Sequence, residues 1–149
     1  MVEETSTGEI MVTKQLQELH TTGFSGTEKN CLKLLTSPSR MVFPLGSSLV
    51  VRSLETGEQQ LHVGHRLEIL YSDDKVLYFL LRHPITCITL SDSGKYLATG
   101  ETASLGTRAM VVCWDTSTWA QVGSHQTHHA KVQYLAISPD DGKVWNPLK

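Results

Sequence analysis

Between Pro84 and Asp115 the chain reads PITCITLSDSGKYLATGETASLGTRAMVVCWD, three apolar runs divided by turn residues and carrying no helical period. Ile85, Cys87 and Leu90, with Ile88 between them, make the wholly apolar, β-rich run expected of a strand buried on both faces. Ser91-Asp92-Ser93-Gly94-Lys95 is turn chemistry, because Asp and Ser cap local backbone groups and Gly takes positive φ at no steric cost. Tyr96 to Gly100 is a second strand and Met110 to Asp115 a third. Thr116-Ser117-Thr118 turns the chain again, and Trp119 to Val122 is predicted as the fourth. Residues 84–122 are therefore expected to fold as a four-stranded antiparallel meander.

A buried indole fills a large volume but needs an acceptor for its N–H. Thr99, on the strand beside Trp114, is the candidate. With its Trp114-Asp115 dipeptide the stretch resembles a WD40 repeat, in which four such strands form one blade of a β-propeller. The resemblance implies a hydrogen-bonded set of a His before the first strand, an Asp between the second and third, a hydroxyl and the Trp. No Asp lies between Thr102 and Ala109, so at most three of the four are expected here, in a weakened network.

The same order of strands and turns occurs upstream. Leu32 to Leu35, the turn Thr36 to Arg40, Met41 to Leu45, Ser48 to Arg52, Glu55-Thr56-Gly57-Glu58 and Gln59 to Val63 form a degenerate copy, read with Ser53 in the place of Trp114. Gly64-His65 closes it. A blade-opening His should stand ten residues before the Ser of the next turn, yet Ser91 lies 26 residues beyond His65. Removing the sixteen residues Arg66 to Leu81 restores the spacing. They are expected to be an insert outside the blades, a small hairpin or else a partner-binding loop.

His128, ten residues before Ser138, opens a third copy. That spacing accounts for it better than a metal site built with His125 and His129, for which no further ligand is near in sequence. Ser138 to Trp145 spans only 7 residues, against 23 from Ser91 to Trp114, and reads as a turn and third strand joined to the first with the second missing. The expected fold is all-β, a partial WD40 propeller of about two and a half four-stranded antiparallel blades with the ring not closed. Its parts are a mobile lead-in at 1–11 and an incomplete propeller at 12–149, comprising a blade at 31–65, the insert at 66–81, a blade at 82–125 and a partial blade at 128–149. An edge strand is expected between Val12 and Phe24.

With 40% hydrophobic residues the chain has enough apolar surface for a core. A net charge of -2 supplies no basic footprint for nucleic acid. The acidic start Met1-Val2-Glu3-Glu4 is unlike a signal peptide, and no apolar run approaches the ~20 residues that span a bilayer. A soluble intracellular chain without nucleic acid, membrane or small-molecule partners is expected. Cys31, Cys87 and Cys113 have no metal spacing. No nucleophile elbow, phosphate-binding Gly loop or zinc signature stands in a recognisable context, so no enzyme activity and no cofactor are expected.

Met1-Val2-Glu3-Glu4 with Ser6 to Ile10, Gly23-Phe24-Ser25-Gly26, Pro44-Leu45-Gly46, Ser93 to Ala98 and Gly106 to Ala109 narrow the resemblance, chiefly through the N-terminal ten residues, which lie outside the blades. They are similar to the N-terminal part of the cilia- and flagella-associated WD-repeat family, here in a truncated or alternatively spliced form. That resemblance implies a structural component of the lumen of axonemal doublet microtubules, placed in the cytoplasm and cytoskeleton of the cilium or flagellum. Tubulin and other microtubule inner proteins are its implied partners. The implied site residues are structural: His65, Thr99, Trp114, Asp115 and His128.

Overall fold

The computed structural model describes residues 26, 28–36, 38–64, 68–72, 75–81, 83–103 and 107–145. The expected lead-in at 1–11, the strand between Val12 and Phe24, and His65 lie outside them. Among the described residues all regular structure is β, and no helix is long and apolar enough to cross a membrane.

The first sheet holds β1 (Lys33–Thr36), β2 (Ser39–Leu45), β3 (Ser48–Ser53) and β4 (Gln59–Val63), antiparallel and in chain order. The second holds β7 (Ile85–Leu90), β8 (Tyr96–Glu101), β9 (Ala109–Asp115) and β10 (Gln121–His128), also a meander. Between them β5 (Glu68–Ser72) and β6 (Lys75–Leu81) pair only with each other, as a two-stranded hairpin. A final pair, β11 (Ala136–Ile137) and β12 (Val144–Trp145), begins a further unit. The array is two full blades and part of a third, side by side and unclosed.

Alternation along each strand puts apolar side chains on both faces of the second sheet. Ile88, Leu97, Met110, Val112 and Trp114 face the first blade, where Leu35, Val42, Leu49 and Val51 join them in one buried cluster. The opposite face carries Cys87, Ala98, Ala109 and Val111, which pack with Val132 and Leu135 at the start of the third unit. Fully buried Leu49, Leu97 and Val112 contribute roughly 1.5–3 kcal/mol each by leaving water. Backbone bonds join neighbours in the same way at both contacts: Ile85 N–H donates to Gly46 at 2.8 Å, and Val132 N–H to Glu101 at 3.0 Å.

Turn hydrogen bonds set the true equivalence of the blades. After β9, Asp115 N–H donates to Ala120 and Trp119 N–H to Asp115, while Thr118 N–H donates to the Asp115 carboxylate. After β3 the same three bonds run from Ser53 to Glu58, from Gly57 to Ser53 and from Thr56 to the Ser53 hydroxyl. Ser53 therefore corresponds to Asp115, and Arg52 occupies the place of Trp114. By the same register Phe43, opposite Val50, occupies the place of Thr99, opposite Val112. Trp119 matches Gly57, both at positive φ (57° and 76°), so the fourth strand begins at Gln121 rather than at Trp119. It also runs past residue 125 to His128.

The expected missing second strand is corrected by the same comparison. Ser91 Oγ accepts from Tyr96 N–H and Gly94 N–H donates to Ser91 C=O; Ser138 Oγ accepts from Lys143 N–H and Asp141 N–H donates to Ser138 C=O. Ile137 pairs with Val144 as Leu90 pairs with Leu97. Val144–Trp145 is thus the second strand, and Trp145 stands in the place of Ala98, not of Trp114. Asp141, at φ 58°, holds the position of Gly94 at φ 74°.

Gly100 is the residue that lets the third unit come so close. A Cβ there would lie 2.5 Å from Val132 Cγ1 and 2.9 Å from Cys87 Sγ. Overpacking of this kind costs about 1–3 kcal/mol. G100A is expected to lower the urea midpoint accordingly, and G100A/V132A to lose less than the sum of its single variants; additive losses would show that the two residues do not meet.

Candidate functional site

The chemistry of this chain concentrates where the first two blades meet, around Trp114. Trp114 is 3% exposed, and its Nε1–H donates to Thr99 Oγ1 at 3.0 Å. Thr99 in turn donates to Val112 C=O at 3.4 Å, so its one hydroxyl serves as acceptor and donor at once. From the first blade, Gly64 lies so close that a Cβ would stand 2.1 Å from the indole Cη2. The His62 ring stacks on Trp119 at 5.4 Å and 25° and meets Trp114 edge-on at 6.4 Å.

The remaining expected residues are spread through the fold. Asp115 lies outside that contact: its Oδ1 accepts from Ser117 N–H at 2.8 Å, from the Ser117 hydroxyl and from Thr118 N–H. These bonds, led by that from the Ser117 hydroxyl, hold its carboxyl below the ordinary range, and its work is to cap the turn after β9. His128 closes β10 opposite Ala109. Its imidazole is held below the ordinary value, first by burial and then by His125.

Two participants escape the motif. Glu101 is buried at the end of β8, and its Oε1 accepts the Met110 N–H at 2.9 Å. A carboxylate two residues beyond Thr99, on the same strand face, was the available signal. His62 gave no such signal, since a His in a short outer strand normally faces solvent.

None of these groups is set up as a nucleophile. Burial keeps the cysteines as thiols, pushing Cys87 up to about 12 and raising Cys31 and Cys113 as well. Among the described residues no three His, Cys, Asp or Glu side chains converge to hold a metal. What the arrangement does is join two sheets. T99V leaves the Trp114 N–H buried without its acceptor and is expected to cost about 1–3 kcal/mol in chemical unfolding, with T99S losing less because it keeps the oxygen. Equal losses for the two variants would mean that the bond contributes nothing.

No family model matches the chain. Cilia- and flagella-associated protein 52 of Mus musculus is 27% identical over 119 residues, covering 80% of this chain and 17% of that protein. The protein of the same name from Chlamydomonas reinhardtii is 31% identical over 120 residues, again covering 80% and 17%. Elongator complex protein 2 of Rattus norvegicus is 36% identical over 59 residues, 40% of this chain and 7% of that protein. A chain in the crystal structure of the mitotic checkpoint complex overlays with a TM-score of 0.48 at 13% identity, covering 84% of this chain and 38% of that one. This chain thus spans about 17% of the length of the ciliary relatives. Its blades, its Thr99–Trp114 bond and those relatives together identify it as a WD-repeat chain related to cilia- and flagella-associated protein 52.

Proposed function

We propose that this chain is a non-enzymatic structural component of axonemal doublet microtubules in cilia or flagella. It acts through propeller surfaces that contact tubulin and neighbouring microtubule inner proteins. The observation that carries this reading is the match to ciliary relatives over 80% of the chain, in a mammal and in an alga alike. The geometry supports it, because the buried hydroxyl and carboxylate bond within the second blade and the indole packs that blade against the first. A general WD-repeat scaffold of a signalling or degradation complex is the second reading, favoured by the match to Elongator complex protein 2, itself named as part of a complex.

The test is fractionation of cilia from cells expressing the tagged chain. A luminal component is expected to stay with the doublets through detergent and high-salt extraction and to be released only when the doublet wall is opened with sarkosyl. Release with the membrane and matrix, or absence from cilia, would overturn the ciliary reading; recovery in a soluble cell-body complex would favour the second.

A further inference from the structure

His62 stands on β4 at the edge of the first blade, and its ring is clamped by two indoles of the second. Trp119 lies along one face and Trp114 meets it edge-on, and both tryptophans are buried. The His62 Nε2 atom is itself buried and has no hydrogen-bond partner, and neither has the Trp119 indole nitrogen beside it. A neutral imidazole tolerates this, as an aromatic disc whose ring faces are in contact. An imidazolium needs acceptors for both N–H groups, and burying an ion without them costs far more than burying a neutral ring.

Among the described residues, no charge around the ring favours the protonated form. On the first blade, Arg52 lies on the opposite face of the sheet, and Glu55 and Glu58 are exposed in the turn leading into β4. On the second, Asp115 is bound into its own turn and Cys113 lies on the far face of β9 from Trp114. Cation–π attraction from the stacked indole works the other way, but it is worth roughly 0.5–2 kcal/mol and supplies no acceptor. Burial prevails, and it is the cause that holds the His62 imidazole below its ordinary 6.5.

We infer that His62 makes the contact between the first two blades proton-sensitive: packed blades hold it neutral, and proton uptake parts them. The ring is half-buried, and the contact beside it has little slack: a Cβ at Gly64, two residues on, would stand 2.1 Å from the Trp114 ring. The sign follows from linkage. A His lowered in the folded state contributes stability that is complete above 6.5 and is lost as pH falls through the folded value.

The experiment uses the full chain and compares thermal unfolding at pH 7.5 and 5.5 for the wild type, H62F and H128N. H62F keeps an aromatic ring in the stack but does not titrate, and H128N removes the other histidine held below its ordinary value. The wild-type midpoint is expected to fall by about 4 °C, the size of a roughly tenfold change in the folding equilibrium. H62F should lose most of that fall and H128N should keep most of it. An equal fall in the wild type and H62F overturns the inference. A nuclear magnetic resonance titration of the His62 ring in the wild type decides the matter independently if H62F fails to fold: a midpoint below 6.5 supports the inference, and one at or above 6.5 overturns it.

Discussion

The second sheet has two apolar faces, and a four-stranded sheet can bury only one of them against a single neighbour. Leu97, Thr99, Met110, Val112 and Trp114 turn one way and Cys87, Ala98, Gly100 and Val111 the other, so the second blade must be covered twice. Large side chains and the indole bond occupy the first contact. Small residues occupy the second, where Gly100 admits Val132 and the Thr86 hydroxyl donates to Val132 C=O at 2.6 Å. The two faces are thus built differently: one is filled by bulk, the other closed by approach.

Trp119 shows how far tertiary packing overrides local preference. A left-handed backbone costs an L-residue roughly 1–2 kcal/mol, and the first blade avoids that cost with Gly57 at the same turn position. In the second blade a tryptophan accepts it because its ring is then buried against His62. Burial of a large aromatic side chain is worth more than the strain.

The strands were legible because alternation and turn residues survive in a single sequence, and Thr99 with Trp114 was legible because an indole N–H demands an acceptor. The equivalence of the blades was less so. Counting residues placed Ser53 against Trp114, yet a hydroxyl and a carboxylate cap a turn in the same way, and only the hydrogen bonds identify Ser53 with Asp115. Trp145 misled for the opposite reason: a conspicuous residue suggested a third strand, whereas the turn at Ser138 repeats the one at Ser91 and makes Val144–Trp145 the second.

The degeneracy of the first blade has a structural consequence. Phe43 and Arg52 replace the hydroxyl and the indole, so that blade has no internal bond equivalent to the one from Trp114 to Thr99. What it retains is the opposite face, with Val42, Leu49, Val51, His62 and Gly64 shaped to the tryptophans of its neighbour. The first blade is therefore specified by what it covers more than by what it contains. Its order depends on the second blade, and any charge or bulk introduced between them weakens both.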